Sequence, residues 1–231
     1  GNPVYSKPEE RVRAYREAAE AAYEKTGERV KYFVNITSGA GEIIDNVKRA
    51  EEAGADGLMI NFAAMGYSVL KYVAEHTALP ILGHSAGTGM CFEGTMNGMA
   101  SPLAVGKLAR LAGADIVMIN TPYGGYPLLH QKYMQTVAQL TLPFYDIKTS
   151  MPSIGGGVHP GMVEKYIREV GKDVVLAAGG AVQGHPCGAA AGARAMRQAI
   201  DIVMSGQAFE KAAAEKDELR VALTQWNYIK S

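Results

Sequence analysis

The chain has 231 residues, of which 48% are hydrophobic, and 23 basic residues (Lys and Arg) balance 23 acidic ones (Asp and Glu). This length and apolar fraction fit one domain with a sizeable core. A formally neutral chain lacks the basic field that attracts nucleic acid, so we expect no nucleic-acid partner. No apolar run reaches the roughly 18 residues of a membrane span. The charged opening segment and two cysteines outside any CxxC pair predict no signal peptide, no membrane partner and a cytoplasmic location.

The first predicted element is a helix that Ser6 caps, with Pro8 in its first turn, and that Gly27 ends. After it, short apolar runs typical of buried strands alternate with helical segments. The predicted strands are residues 30–36, 57–61, 79–83, 116–120, 151–155 and 174–178. The predicted helices are residues 42–53, 67–76, 103–111, 128–140, 160–170, 188–204 and 209–226.

An internal repeat refines this α/β pattern. Residues 53–67 read AGADGLMINFAAMGY and residues 112–126 read AGADIVMINTPYGGY, with nine of fifteen positions identical. Continuous apolar strands alternating with helices indicate a parallel sheet covered on both faces. The repeated unit favours a (β/α)8 TIM barrel over an open doubly wound sheet, which remains the alternative. Because the sequence supplies about six strand–helix units, we interpret them as strands 3 to 8, with two strands expected upstream of Gly1.

Two glycine clusters follow the last two predicted strands. Gly155, Gly156 and Gly157 follow strand seven, and Gly179 and Gly180 follow strand eight. Glycine lets the backbone approach an oxyanion with its N–H groups free to point at it. A helix start after each loop adds partial positive charge, and phosphate binding by loops seven and eight is recurrent in barrels. The sequence therefore predicts a phosphate site here, with ligand-free tight turns as the alternative.

Polar side chains end the other predicted strands, at the edge where barrel active sites lie. His84 follows the run 79–83, where a histidine can act as acid, base or hydrogen-bond donor, or can be structural. Asn35, Asn61 and Asn120 end three strands. An amide there can orient a substrate oxygen or cap the next loop, and both interpretations stay open.

No base and no metal-ligand set is predicted at a visible strand end. Asp56 and Asp115 precede their strands, so they belong to the end that serves stability. Lys148 lies between elements. His159 and His185 each precede a proline, and ordering of the loop is the simpler role for both.

Several segments resemble the C-terminal domain of the RuBisCO large-subunit superfamily. The most specific is LAAGGAVQGHPCGAAAGAR at residues 176–194, which is similar to the family's strand-eight pattern, and GGVH at 156–159 is similar to its strand-seven loop. Residues 34–37 resemble strand three, and residues 108–115 the approach to strand six. The resemblance covers residues 1–231 as one barrel domain, and it implies an N-terminal α+β domain upstream. It carries phosphate binding over to Gly156, Gly157, Gly179 and Gly180.

Four positions depart from the true carboxylases of that superfamily. Ser85 stands where they place an arginine, Met118 where they use a histidine, and Gly155 where they use a serine. The mobile loop-six lysine aligns with Gly125. The first three departures remove the ligands of a second phosphate, and the fourth removes a lysine that helps to position carbon dioxide. Together they predict a form IV, RuBisCO-like protein that acts on a singly phosphorylated keto compound, not a bisphosphate carboxylase.

The resemblance implies a function for the whole protein. It implies an enzyme that forms an enediolate from a small keto-sugar phosphate or sugar-acid phosphate by enolisation, isomerisation or decarboxylation. It also implies Mg²⁺ with a carbamylated lysine upstream of residue 1, no metal ligand within this chain, and a homodimer or higher homo-oligomer. The alternatives are a non-catalytic phosphate-binding protein and an unrelated barrel aldolase or lyase. The predicted catalytic residues are His84 and Asn35, and the further substrate-binding residues are Ser85, Asn61, Thr121 and Gly155.

Overall fold

A computed structural model describes residues 6–96 and 98–229. The strands are β1 (Phe33–Asn35), β2 (Gly57–Asn61), β3 (Ile81–His84), β4 (Ile116–Asn120), β5 (Met151–Gly155) and β6 (Val175–Ala177). They follow chain order in one six-stranded sheet, and β1–β2, β2–β3, β3–β4 and β5–β6 pair in parallel. A doubly wound sheet would reverse its strand order at a switch point. The order found here contains no reversal, so that alternative was wrong. The parallel α/β fold is confirmed, and the eight-stranded barrel remains a prediction.

Helices separate the strands. They are α1 (Pro8–Thr26), α2 (Ile43–Glu52), α3 (Phe62–Met65), α4 (Tyr67–Ala74), α5 (Leu108–Leu111), α6 (His130–Thr141), α7 (Val163–Val170), α8 (Gly179–Gln183), α9 (Ala189–Ser205), α10 (Phe209–Ala214) and α11 (Asp217–Trp226). Shorter 3₁₀ turns occupy Thr88–Cys91 and Pro160–Met162, and a π-helical turn occupies Pro102–Lys107. No helix in the described ranges is long and apolar enough to cross a membrane.

The predicted ends of some elements were wrong. Helix α1 starts after Lys7, not Ser6, and the Glu10 carboxylate accepts the Lys7 N–H at 3.4 Å. Gly27 ends α1 as predicted, at φ 71°. The stretch 209–226 is two helices, because Lys216 is extended at φ −117° and ψ 105° and starts a new one.

The described chain divides into two compact units. Unit 1 comprises Gly1–Met118 and Ala138–Met151, and unit 2 comprises Ile119–Val137 and Pro152–Ser231. Each has its own apolar core, with fully or almost fully buried side chains. In unit 1 these include Val34, Ile36, Leu58, Ile60, Leu70, Ile81 and Val117. In unit 2 they include Tyr133, Ile154, Val163, Tyr166, Ala195 and Leu219.

The internal repeat forms two matching turns within unit 1. Gly54 and Gly113 adopt left-handed conformations at φ 86° and 93°, which glycine adopts without steric cost. The carboxylate of Asp56 accepts the N–H of Tyr32 at 3.0 Å. The carboxylate of Asp115 accepts the N–H of Ile81 at 2.8 Å. Each aspartate therefore fixes the amino end of its sheet neighbour.

Arg110 at the end of α5 is another charged group that serves the fold of unit 1. It is only 5% exposed, and in the described part of the chain its guanidinium donates only to backbone carbonyls. The acceptors are Lys148 at 2.7 Å, Gln139 at 3.0 Å, Leu142 at 2.7 Å and Ile147 at 2.8 Å. Two of these carbonyls lie at the C-terminal end of α6, where the helix dipole favours a cation.

Candidate functional site

His84 is the last residue of β3, in unit 1, and its imidazole is half-buried. The N–H of Ala86 donates to its Nδ1 at 3.1 Å. An Nδ1 that accepts a hydrogen bond leaves the ring proton of the neutral form on Nε2. Burial lowers the pKa of His84 below its ordinary value of 6.5, because desolvation disfavours the charged form. The geometry thus makes His84 a neutral Nε2–H donor at a strand end.

Asn35 and Asn61 end β1 and β2 in unit 1, and their amide oxygens already have partners. The Oδ1 of Asn35 accepts the N–H of Thr37 at 2.9 Å, which leaves its amide N–H₂ to donate. The Oδ1 of Asn61 accepts from Ala63 at 3.1 Å and Ala64 at 3.3 Å, and so caps α3. Of the two roles left open for Asn61, the structure shows the cap.

Ser85 follows His84 and is 8% exposed. Its carbonyl oxygen accepts the N–H of Thr88 at 3.0 Å and the Thr88 hydroxyl at 2.7 Å. Ser85 therefore starts a tight turn after β3, and its backbone shapes this loop.

The loop after β5, in unit 2, presents open backbone. Gly155 is buried in the strand, whereas Gly156 and Gly157 are exposed and left-handed, at φ 87° and 86°. A Cβ on Gly156 would meet nothing within 4 Å. Glycine is required here for its backbone conformation, and the space before it is free for a ligand.

Gly124, in the loop after β4, contacts this same glycine loop, and sequence reasoning missed it. A Cβ on Gly124 would lie 1.9 Å from the carbonyl oxygen of Gly156, so no other residue fits without movement. Gly157 lies close as well, since its Cβ would be 3.3 Å from the Gly124 Cα. The repeat offers a faint signal, because the matching position of the first copy is Met65.

The loop after β6 leads directly into the short helix α8. Gly179 and Gly180 form its first turn, both are exposed, and a Cβ on either would meet nothing within 4 Å. The first N–H groups of a helix have no acceptor within it. The structure thus gives unit 2 two loops with open glycine backbone.

A buried polar network lies behind the β4 loop in unit 2. The Thr121 hydroxyl is 3.2 Å from that of Tyr166 and accepts the Tyr123 N–H at 3.0 Å. The Tyr123 hydroxyl donates to the Glu169 carboxylate at 2.6 Å, and burial, followed by this carboxylate, raises the pKa of Tyr123. The side chain of Thr121 is therefore engaged within the protein. Sequence reasoning missed Tyr123 and Glu169 because their partners are remote in the chain.

His185 and His159 follow the two glycine loops. His185 is 4% exposed, and its Nδ1 accepts the Cys187 N–H at 3.0 Å while its Nε2 lies 3.0 Å from the Glu218 carbonyl oxygen. His185 thus orders its loop. His159 has a buried Nδ1 that finds no hydrogen-bond partner within residues 6–96 and 98–229, and burial lowers the pKa of His159.

Within residues 6–96 and 98–229, no group of three or more His, Cys, Asp or Glu side chains is arranged to hold a metal ion. The described residues therefore do not fit a magnesium site. The predicted catalytic side chains, His84 and Asn35, are a neutral imidazole and an amide.

The comparisons with known proteins agree with these features. Residues 1–226 match the family described as ribulose bisphosphate carboxylase large chain, catalytic domain. The chain belongs to this family. It is 43% identical over 224 residues to a ribulose bisphosphate carboxylase-like protein of Archaeoglobus fulgidus, covering 96% of this chain and 51% of that one. The resemblance is therefore confirmed.

Two further members of the RuBisCO family resemble the chain closely. It is 39% identical over 223 residues to the 2,3-diketo-5-methylthiopentyl-1-phosphate enolase of Geobacillus kaustophilus, covering 96% of this chain and 54% of the enolase. The crystal structure of a rubisco-like protein from Alicyclobacillus acidocaldarius superposes with a TM-score of 0.90 at 35% identity, covering 97% of this chain and 57% of that one. The chain spans about half the length of the curated relatives it matches.

Proposed function

We propose that the protein is a RuBisCO-like enzyme that enolises a small keto compound carrying a single phosphate. The observation that carries this proposal is the open glycine backbone after β5 and β6 in unit 2. Gly156, Gly179 and Gly180 each have free space where a side chain would stand. Backbone N–H groups in such loops bind oxyanions. We assign the phosphate to these three glycines and Gly157.

The proposed substrate class rests on three positions that lack the ligands of a second phosphate. Ser85, Met118 and Gly155 stand where carboxylases of the superfamily hold a second phosphate with an arginine, a histidine and a serine, so we propose a monophosphate. A relative named for its action on a 1-phosphate supports this choice. The membership in the RuBisCO family favours this function over an unrelated aldolase or lyase.

In unit 1 we assign His84 and Asn35 to the substrate oxygen. During enolisation a carbon-bound proton leaves, and its electron pair moves to the carbonyl oxygen, which becomes negative. The Nε2–H of neutral His84 and the amide N–H₂ of Asn35 are suited to donate hydrogen bonds to this oxygen. Asn61 and Thr121 support their loops, because their side chains already bond within the protein.

The base and the metal are not assigned to this chain. Magnesium with a carbamylated lysine remains a prediction from the resemblance, and no step is derived through it, since the described residues do not fit such a site. The homo-oligomer likewise remains a prediction. What these residues supply in the proposal is phosphate binding and hydrogen bonds to a developing oxyanion.

Proton exchange tests the chemistry directly. The full-length protein is incubated in deuterated water with Mg²⁺ and 2,3-diketo-5-methylthiopentyl 1-phosphate, and exchange of the carbon-bound proton is followed by ¹H NMR. Enzyme-dependent exchange is expected. Binding of the phosphate without exchange would favour the non-catalytic alternative. Absence of both binding and exchange would contradict the proposal.

Two matched glycine variants test the phosphate loop. Gly156→Ala and Gly206→Ala both place a methyl group on a left-handed residue with open space around it, at φ 87° and 71°. Both should lose about 1–2 kcal/mol of stability from backbone strain. Gly206 ends α9, away from the strand-end loops, so only Gly156→Ala should raise the KM. An equal KM in both variants would contradict the assignment.

A further inference from the structure

Trp226, the only tryptophan of the chain, lies beside the segments that follow both glycine loops of unit 2. Its ring centroid is 6.4 Å from that of His159, two residues after Gly157, and the two rings are nearly parallel at 23°. The centroid of His185, which follows α8, is also 6.4 Å away. Both distances are within the range of aromatic packing. One indole therefore packs against the segment after the β5 loop and against the segment after the β6 loop.

The helix that carries Trp226 is tied to the β6 loop at its other end. The Nδ1 of His185 accepts an N–H, so its Nε2–H donates to the carbonyl of Glu218 at 3.0 Å. Glu218 lies in the first turn of α11, and Trp226 is the last residue of this helix. Both ends of α11 thus contact the segment after α8.

The residues after α11 are tied to the β5 loop. The N–H of Ile229 donates to the carbonyl of Gly161 at 3.0 Å. A Cβ on Gly161 would lie 2.0 Å from the carbonyl oxygen of Asn227, so the two backbones are in direct contact. Gly161 belongs to the 3₁₀ turn that follows the β5 loop. The segment 226–229 therefore closes on this turn.

The two histidines are held differently. His185 has hydrogen bonds at both ring nitrogens, whereas the buried Nδ1 of His159 has no hydrogen-bond partner among the residues that the structure describes. The position of His159 therefore depends more on packing against the indole. Loss of Trp226 should release the β5 loop before the β6 loop.

We propose that Trp226 is a positioning residue that sets the spacing of the two glycine loops so that their N–H groups meet one phosphate. Such binding needs every donor within about 3 Å of an oxygen at the same time. Loops fixed beforehand bind more tightly because less conformational entropy is lost on binding. Trp226 acts on the loops through its packing against His159 and His185. This proposal rests on the proposed phosphate function of the loops.

The test uses inorganic phosphate as the probe and the full-length protein. In ³¹P NMR titrations, Trp226→Leu should raise the phosphate Kd about tenfold, which corresponds to about 1.4 kcal/mol. The KM for the phosphorylated substrate should rise equally, and kcat should change by less than about twofold, as expected for loss of uniform binding. Trp226→Phe keeps a flat ring at this position and should restore most of the affinity.

Tyr228→Leu is the matched control. Tyr228 belongs to the same segment, stacks on Phe209 at 4.8 Å and bonds to Glu164. Its replacement removes comparable aromatic packing and leaves the contacts between Trp226 and the histidines. Its phosphate Kd should equal that of the wild type. An increase as large as in Trp226→Leu would show a general packing effect and overturn the proposal.

If Trp226→Leu binds phosphate as well as the wild type, the positioning role fails while the proposed function stands. If the wild type does not bind phosphate, both fail.

Discussion

The two ends of the strands in unit 1 use polar side chains in opposite ways. At the amino ends, Asp56 and Asp115 are charged, and each binds the backbone of a neighbouring strand. At the carboxyl ends, Asn35 and His84 are uncharged, and each has one atom bonded to its own loop. The amide nitrogen of Asn35 and the Nε2 of His84 are left to donate to a ligand.

This difference assigns stability to the amino ends of the strands and catalysis to their carboxyl ends. At the amino ends each carboxylate accepts a backbone N–H that belongs to the folded sheet, just as the Arg110 guanidinium donates to four backbone carbonyls. A neutral donor at the carboxyl ends stabilises negative charge that exists only during a reaction. Mutations at the first end should change stability alone, and mutations at the second should change activity alone.

The largest expected effect is at Arg110. Arg110→Met leaves four backbone carbonyls without their donor, and it should destabilise the fold by about 3–5 kcal/mol. Urea denaturation monitored by circular dichroism measures this loss. Arg29→Met is the control, because Arg29 is exposed, forms a 3.9 Å pair with Glu20 and lies 4.1 Å from the centre of the Tyr23 ring, so its loss should change stability by less than about 1 kcal/mol. A loss of phosphate affinity in folded Arg110→Met would break the comparison.

His84 should show the opposite pattern. His84→Ala should lower kcat about 100-fold, or about 2.7 kcal/mol, by removal of one donor to the oxyanion, with little change in unfolding free energy. His76→Ala changes an exposed histidine after α4 and should leave kcat unchanged. Because burial lowers the pKa of His84 below 6.5, the neutral donor persists as the pH falls through 6.5. The pH profile of kcat checks this. If protonation of His84 already lowers kcat above pH 6.5 as the pH is decreased, the assignment is contradicted.

Asp115 should have a smaller effect than Arg110, and on stability alone. Asp115→Ala leaves the Ile81 N–H without its acceptor, which should cost about 1–2 kcal/mol. Asp56→Ala leaves the Tyr32 N–H without its acceptor in the same way. It should lower the unfolding free energy by a similar amount, because the two turns match. Thermal unfolding compares both variants. A difference of more than about 1 kcal/mol between them would show that the repeated turns are not equivalent.

The smallest expected effect is the pH dependence of stability through Asp56. Burial raises the pKa of this carboxyl, but hydrogen bonds from Lys31 and the Tyr32 N–H outweigh burial and hold it below 3.8. A carboxyl with a lowered pKa in the folded state stabilises the fold above its unfolded pKa, and this contribution is lost as the pH falls through the folded value. Between about pH 5 and about pH 3, the free energy of unfolding should therefore fall more steeply in the wild type than in Asp56→Asn. Identical pH slopes would contradict this role.

The elements that local signals define were predicted well. Strands β2, β4 and β5 match the predicted residues, because each apolar run lies between clear turn signals. Strand β1 was predicted over residues 30–36 but spans Phe33–Asn35, where it pairs with residues 57–59. Pairing with a neighbour set the length of this strand, and one sequence does not contain that information.

The candidate site divides in the same way. The Nδ1 of His84 bonds two residues away, and Asn61 caps the helix that follows it, so both are local patterns. The role of Gly124 depends on the carbonyl of Gly156, and that of Trp226 on two histidines far from it in sequence. Such roles arise only when the chain folds, so spacing and composition could not predict them.

The repeated turn also makes the chain a natural subject for engineering by exchange of parts. Both copies read Ala-Gly-Ala-Asp and then diverge after their strands, into FAAMGY at 62–67 and TPYGGY at 121–126. The turn before each strand is constant, whereas the loop after each strand varies. Loop libraries inserted after Asn61 would leave the Ala-Gly-Ala-Asp turn and the strand intact. They would therefore sample new specificities without redesign of the sheet.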